Sequence, residues 1–492
     1  MSSLLIGVDI GTQGTKAMLF DRDGRCRASA FEASRLCRPA PGAVEEDPER
    51  QVASVCRTIR ACLRESRCRP SDVAGLGVDG QMAGVIGIGR DGRNVTPYDS
   101  WLDTRCEPYI RKMAPVADHV VARAGNPPSF NHGPKKLWWQ HERPKVYARI
   151  AAFVQPGAYA VMRLCGLSAG EAFMDDTYLH FSGFADNPRR RWNLRLCDEL
   201  GFDPAKLPRI VSPHDVMGGL TAEMARRCGL KAGVPVVAGC GDTAASFLAC
   251  GATREGICVD VAGTASVFAA TTATFRPDRR EKILGVGRSA TPGLWHPYAY
   301  INGGGMNLEW FRKHFGAGRD FDTLNRLAAA APAEGAPLFV PHLGGRVCPP
   351  QPNLRGAWVG LNWNHGIGDL YRAALEGVAL EYAVYRRVLG GLYPHLRLRE
   401  MRVTGGGEKS AIWNQIKADM LQIPVTRIEG APGAPAGAAM LAGVGAGVFR
   451  DVAAAAAAWV RPAGRVTPRR AQADGCRARL AAYERVLSSV SK

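Results

Sequence analysis

The sequence predicts an α/β protein made of two similar halves, and three observations carry that expectation. Short apolar strands alternate with helical segments along the 492 residues, as in layered α/β folds. Several strands run into glycine turns that present an acid or a hydroxyl. The segment Gly7-Val8-Asp9-Ile10-Gly11-Thr12 is also echoed, with one extra residue, by Cys258-Val259-Asp260-Val261-Ala262-Gly263-Thr264, half a chain away.

The first half opens as a β-meander. Leu4 to Asp9, Lys16 to Phe20 and Cys26 to Phe31 read as strands, joined by a turn over Gly11 to Gly14 and a hairpin at Asp23-Gly24. Asp47-Pro48 is a helix start, with Asp as cap and Pro at the first helical position. Val52, Val55, Ile59 and Leu63 then recur on one face. Val73 to Val78 is the next strand, and it ends at Asp79-Gly80-Gln81-Met82. Residues 98 to 184 are loop-rich and aromatic (Trp101, Trp138, Trp139, Tyr159, Phe181) and read as a lid and pocket elaboration.

At the centre, Val234 to Ala238 is an apolar strand entering Gly239-Cys240-Gly241. Asp242 stands where the helix Thr243 to Cys250 begins, and Gly251 stops that helix. A second strand, Ile257 to Val261, enters Gly263-Thr264-Ala265-Ser266. A chain of this length is expected to divide into two to four domains, with a boundary near Gly251 to Gly256. Beyond it come a strand at Tyr298 to Ile301, a helix from Met306 to His314 and a long helix from Ile367 to Leu389. A strand at Met401 to Thr404 then leads into Gly405-Gly406-Gly407. The helix after those glycines is expected to bury Ile412, Ile416 and Met420. Ala431 to Gly447 is small enough for close packing or close approach to a ligand, and Arg461 to Lys492 reads as a solvated terminal helix.

Hydrophobic content of 46% and charged content of 22% are those of a globular chain. No basic leader precedes Leu4, and no apolar run approaches the length of a membrane span. Fourteen cysteines are scattered without C-x-x-C pairs or His partners. That argues against zinc and for free thiols in a reducing cytoplasm. The balance of 63 basic to 45 acidic residues gives +18. The arginines are dispersed and not interleaved with aromatics, so nucleic acid is not the expected partner. A positive field does favour an anionic nucleotide.

Three glycine turns have the makings of phosphate loops. Asp9, Gly11, Thr12, Gly14, Thr15 and Lys16 form a strand–turn–strand in which glycines let backbone N–H groups approach phosphate oxygens and hydroxyls add donors. Asp9, at a strand end, can hold a hydrated Mg²⁺. Gly263-Thr264 repeats the arrangement, and Gly405 to Ser410 lies between a strand and a helix, where helix-terminus donors gather. Each of the three is equally well a plain structural turn, as is Gly303-Gly304-Gly305. None is a Walker A sequence. Asp242 between small residues is a helix cap or an exposed general base. Trp101, Asp103 and Arg105 offer an aromatic face and hydrogen bonds suited to a polyol, or they serve packing. His132 and Trp138-Trp139 read as core or rim.

Taken together, the motifs resemble those of the FGGY family of carbohydrate kinases, and among these the xylulokinase-like members, over essentially the whole chain. Asp9-Ile10-Gly11-Thr12 with Lys16 matches the first phosphate motif, Glu46-Asp47-Pro48 the helix start after it, and Pro134-Lys135 with Leu137-Trp138 a further segment. Gly241-Asp242 with Ala244-Ala245 matches the catalytic-base motif and Gly263-Thr264 the second phosphate motif. Gly356, Gly360-Leu361, Asp369-Leu370 and Ala373-Ala374-Leu375-Glu376 fit the C-terminal signature, and Gly405 to Gly407 the adenosine-side glycines.

The resemblance implies two RNase H-like domains of the actin/hexokinase superfamily, over residues 1–250 and 251–492, with ATP, Mg²⁺ and a sugar in the cleft between them. The N-terminal domain would hold the sugar, the first phosphate motif and the base, and the C-terminal domain the nucleotide. Asp242 would be the general base, and Asp9 with Asp242 would serve the metal. Gly11, Thr12, Thr15, Lys16, Gly263, Thr264, Gly304, Gly405, Gly406 and Ser410 would meet ATP. Gln81, Met82, Ala83, Trp101, Asp103, Arg105, Asp242 and Thr243 would meet the sugar. The implied reaction is ATP-dependent phosphorylation of D-xylulose to D-xylulose 5-phosphate, in the cytoplasm, by a protein whose look-alikes are usually dimers. Two positions depart from the xylulokinase pattern: Ala83 stands in place of His after Gln81-Met82, and Thr243 in place of Asn after the base. They leave ribulose or a polyol such as erythritol as alternative acceptors, and a non-catalytic sugar sensor or an actin-like assembling protein as readings of another class.

Overall fold

A computed structural model describes residues 3–430 and 433–490. Positions 1–2, 431–432 and 491–492, which include the start of the small-residue segment and the end of the segment read as a terminal helix, lie outside the described residues. The chain forms two compact units. The first comprises Met1–Thr253, Val286–Trp295 and Pro432–Val460, and the second Arg254–Gly285, His296–Ala431 and Arg461–Lys492. The small-residue helix Ala434–Gly445 therefore belongs to the first unit, although it lies far along the sequence from the rest of that unit.

In the first unit, β1 (Leu4–Ile10), β2 (Gly14–Phe20), β3 (Cys26–Ala33), β4 (Val73–Gly80), β5 (Val216–Gly219) and β6 (Pro235–Val237) form one sheet in the order β5-β6-β4-β1-β2-β3. The meander β1–β3 is antiparallel, β4 and β6 join parallel, and β5 closes the edge antiparallel. Side chains alternate across β1. Leu4, Ile6, Val8 and Ile10 enter a core shared with Val52, Val55 and Ile59 of the helix Pro48–Ser66, which Asp47 caps as expected. Leu5 enters a second core with the helices Asp242–Ala249 and Ala434–Gly445. Gly7 and Gly77 show why that second face carries glycine. A Cβ on Gly7 would lie 1.7 Å from Pro435 O, and one on Gly77 2.2 Å from Ala438 O. The helix Ala434–Gly445 thus lies directly on the sheet, which its Ala/Gly composition permits.

The second unit repeats this plan. Six strands of a seven-stranded sheet, β7 (Ile257–Ala262), β8 (Ser266–Ala270), β9 (Trp295–Ile301), β10 (Glu400–Thr404), β11 (Val425–Ile428) and β12 (Pro462–Val466), run in the order β9-β8-β7-β10-β11-β12. Their senses match those of the first sheet strand for strand: two antiparallel pairs, two parallel pairs and an antiparallel edge. The six-residue echo in the sequence therefore marks a repeat of architecture.

The helix Ile367–Leu392 is buried along most of its length, and Trp413, Ile416 and Met420 of the helix Ala411–Leu421 pack against the same core. The terminal helix Ala473–Val490 is only partly solvated, because Tyr483 is fully buried and its Oη donates to Glu381 Oε2 at 2.7 Å. Its arginines hid from the sequence reading that one face docks. No helix among the described residues is long and apolar enough to cross a membrane.

Candidate active site

The three carboxylates of the first unit's site arrive on three different elements. Asp9 is near the end of β1, and the register places it beside Asp79 of β4 and opposite Lys16 of β2. Period-two alternation puts Asp9 and Asp79 on the face of Gly7 and Gly77, toward the N-terminal end of the helix Ala434–Gly445. Asp242 opens the helix Asp242–Ala249 just after β6. It is the first helical residue, with Gly241 as the cap, so its side chain is not spent on capping. A parallel bridge between Gly80 and Gly241 brings the two loops together.

Asp242 is partly exposed, and only one of its oxygens is tied. Thr243 N donates to Asp242 Oδ1 at 2.5 Å and Thr243 Oγ1 to the same atom at 3.1 Å. That arrangement leaves Oδ2 outside these two bonds. Burial, and then the charge of Asp9, push the Asp242 carboxyl up to about 7, against the pull of the Thr243 bonds. A carboxylate poised near neutral pH is suited to accepting a proton. Burial lifts Asp9 to about 6, opposed by its contact with Asp79 and by the Lys16 charge. Burial, followed by Asp9 and Asp242, holds Asp79 well above the usual carboxylate range.

Asp79 was not among the residues singled out from sequence. It is fully buried, neither of its oxygens has a hydrogen-bond donor, and Oδ1 of Asp9 lacks one as well. Two carboxylates in contact without a donor require a proton or a cation between them. Mg²⁺ takes oxygen ligands, uses one or two carboxylates and keeps several waters, so these residues fit it. A second acidic group shows the contrast. Ligand atoms of Glu45, Asp99 and Asp103 lie within 4.8 Å of one another, but Arg105 already supplies the cation, at 2.7, 3.1 and 2.8 Å from the three carboxylates.

All three raised carboxyls set a sign for stability. Between the unfolded value of 3.8 and the folded values near 6 and 7, the folded chain holds protons that the unfolded chain has released. Stability contributed by these groups is therefore present at low pH and lost as pH rises through that window. A divalent cation offsets the loss. The rise in Tm on adding Mg²⁺ should be clearly larger at about pH 8 than at about pH 5. Equal shifts at both would show that the cation does not bind these carboxylates.

The loop after β4 packs against the turn that carries Asp242. A Cβ on Gly241 would lie 2.0 Å from Met82 Sδ, so the thioether lies over the residue preceding Asp242. His132 fixes this loop by donating Nε2–H to Met82 O at 2.8 Å, and burial holds its ring well below the usual histidine range, in the neutral form. From sequence, His132 read as core or rim; it is core, but it also orients the segment carrying Gln81, Met82 and Ala83. Gln81 Oε1 accepts from Thr12 Oγ1 at 3.4 Å, and its buried Nε2 has no partner. Trp101 Nε1 donates to Thr12 Oγ1 at 2.7 Å, leaving the indole 38% exposed above this corner.

Other expected contacts are engaged elsewhere. Asp103 Oδ2 accepts from Val44 N at 2.9 Å and from Arg105 Nε at 2.9 Å, and the Arg105 guanidinium lies 4.4 Å from the centre of the Trp138 ring. Both charges are used inside the wall behind Trp101. The buried Thr15 shares a 2.6 Å hydrogen bond with Ser54 Oγ on the helix Pro48–Ser66. Gly11 N donates to Gly14 O at 3.0 Å, closing the first turn, and Lys16 is half-buried beside Asp9.

In the second unit the corresponding loops form their own group. Gly305 N and Met306 N donate to the carbonyls of Gly263 and Thr264, both at 3.0 Å, which ties the second turn to the start of the helix Gly304–Phe315. A Cβ on Gly304 would lie 1.8 Å from Ser266 Oγ. Gly405 has φ of 86° and approaches Ala262 O, while Gly406 is exposed with open space around it. Ser410 accepts from Trp413 N at 3.3 Å as helix cap and donates to Asn325 Oδ1 at 3.0 Å. Asp260, the counterpart of Asp9, pairs in register with Phe268 and Val403. It is fully buried, but it accepts from Tyr382 Oη at 2.7 Å and forms an ion pair with the buried Lys417.

A repeated sheet with an acid near the end of each first strand, a carboxylate at a helix start and glycine turns after the strands is the plan of the actin/hexokinase-like class. The family models place it within that class: the N-terminal domain of the FGGY family of carbohydrate kinases matches residues 4–249 and the C-terminal domain residues 258–446. The chain belongs to the FGGY family of carbohydrate kinases. It is 30% identical to the xylulose kinase of Escherichia coli strain K12 over 90% of each chain. It is also 28% identical to the glycerol kinase of Aromatoleum aromaticum over 93% of each. Among solved structures, the xylulose kinase of Rhodospirillum rubrum superimposes with a TM-score of 0.90 at 28% identity, covering 99% of both chains.

Proposed function

We propose that this carbohydrate kinase transfers the γ-phosphoryl group of ATP to a terminal hydroxyl of a ketose, with D-xylulose the leading acceptor and D-xylulose 5-phosphate the product. The observation that carries the chemistry is the partly exposed Asp242, its Oδ1 held by Thr243 and its carboxyl near neutrality. Xylulose kinases recur among the relatives at 25–30% identity, and that supports the acceptor.

In this reading Asp242 Oδ2 accepts the proton of the attacking hydroxyl. Met82 and Gln81 shape the sugar side, with Ala83 and Thr243 beside them and the Trp101 indole as an apolar wall. Asp103 and Arg105 act from behind that wall. Thr12 and the Gly11 turn, with Thr15 and Lys16 supporting it, face the phosphates. Gly263, Thr264, Gly304, Gly405, Gly406 and Ser410 form the nucleotide loops of the second unit. Asp9 holds Mg²⁺, with Asp242 close by, and the bound ion supplies positive charge to the phosphate oxygens. We assign the protein to the cytoplasm and to a homodimer on the same footing.

Ala83 and Thr243, together with a glycerol kinase at 28% identity, favour a second reading in which the acceptor is another pentulose or a polyol. ADP release measured across D-xylulose, ribulose, erythritol and glycerol decides between them. The proposal expects turnover that depends on added sugar and is fastest with D-xylulose. A faster polyol installs the second reading, and sugar-independent or absent turnover overturns both. Ala83→His should shift the ranking among ketoses by about tenfold, the size of one hydrogen bond gained or lost. An unchanged ranking places Ala83 away from the acceptor.

A further inference from the structure

We propose that Asp79 and Asp9 together hold one divalent cation before any nucleotide binds, which makes Asp79 a metal-anchoring residue of this enzyme. The inference builds on the kinase reading but stands on separate observations. The first is placement: Asp79 and Asp9 are register partners on adjacent parallel strands, with side chains in hydrogen-bonding reach of each other. The second is the lack of donors. Asp79 is fully buried, both its oxygens and Oδ1 of Asp9 are without a donor, and Lys16 acts on Asp9 through charge alone.

The repeated second unit supplies an internal control. There the strand-end acid Asp260 has Val403 where the first unit has Asp79, so only one carboxylate is buried. That single acid is met by a buried lysine and a tyrosine hydroxyl. The first unit places two acids at the matching position, Asp79 fully buried and Asp9 half-buried, and no lysine or arginine forms an ion pair with either among the described residues. Two carboxylates are also the number Mg²⁺ commonly takes from protein while keeping water in its remaining positions.

The test is Mn²⁺ binding to the full-length protein without ATP or sugar, followed by electron paramagnetic resonance of the free ion. The expected result is one Mn²⁺ per chain, competed by Mg²⁺, with affinity lowered by about tenfold or more in Asp79→Asn and in Asp9→Asn. Metal-free Asp79→Asn should be at least as heat-stable as the parent, because a buried repulsion is removed, and it should lose the rise in Tm that Mn²⁺ gives the parent. Asp79→Ser serves if the Asn variant does not fold. Absence of Mn²⁺ binding without nucleotide, or unchanged affinity in a folded Asp79 variant, overturns the proposal. The sugar-dependent ADP assay of the parent is independent of this titration, so a failed kinase reading and a failed metal pair give different results.

Discussion

Asp242→Asn is expected to lower kcat by about 10² to 10⁴, the range a positioned proton acceptor contributes, while nucleotide affinity survives. The geometry makes the substitution clean. Thr243 N and Oγ1 both donate to Oδ1, a role the amide oxygen of Asn can keep. The amide nitrogen then occupies the Oδ2 place, where it can donate but cannot take a proton. With burial and Asp9 lifting the parent carboxyl to about 7, the parent's kcat/KM should fall as pH drops below neutrality, tenfold per unit once the base is protonated. The variant's residual rate should be flat there. Steady-state ADP release and calorimetric ATP titration check both statements. Near-normal turnover would remove Asp242 from its role.

Lys417→Met carries the largest expected cost in stability. Lys417 and Asp260 are both fully buried, and the lysine ammonium also lies 3.6 Å from the centre of the Trp413 ring. Removing the cation leaves a carboxylate in the core with only the Tyr382 hydroxyl as donor. Breaking a buried pair on one side costs about 3–5 kcal/mol, a large share of the roughly 5–15 kcal/mol by which a folded protein is typically stable. Replacing both partners, Lys417→Met with Asp260→Asn, should recover most of that loss, because no charge then remains to be solvated. Denaturant unfolding of the two variants makes the comparison. A loss below about 1 kcal/mol in the single variant, a surface-pair value, would mean that water reaches Asp260.

Much of this was legible in the chain because it is written locally. Strand and helix periodicities, the Asp47-Pro48 start and the glycine turns each act over a few residues, and most of the corresponding elements form within about three residues of expectation, whereas the terminal segment read as one helix divides into the strand Pro462–Val466 and the helix Ala473–Val490. The central helix begins one residue earlier than read, at Asp242, because Gly241 takes the cap position, and that shift frees the acid. Asp79 escaped notice because an acid near a strand end looks like any other until its neighbours are known. Its partner Asp9 lies on another strand, and the helix packed on their face comes from residues 434–445. Asp103 and Arg105 carried plausible hydrogen-bonding groups, but nothing in their spacing revealed that Glu45 and Asp99 would take up the guanidinium.

The sequence by itself determined where acids, hydroxyls and glycines stand at the ends of strands, and that the plan occurs twice. Only the tertiary structure decided which of those acids is satisfied. Asp9 and Asp260 occupy matching places in matching sheets, yet Asp260 is neutralised by a lysine 157 residues further along the chain. Asp9 meets another carboxylate instead. A buried charge must be balanced by whatever the fold brings beside it, and local sequence holds no record of which side chain that will be.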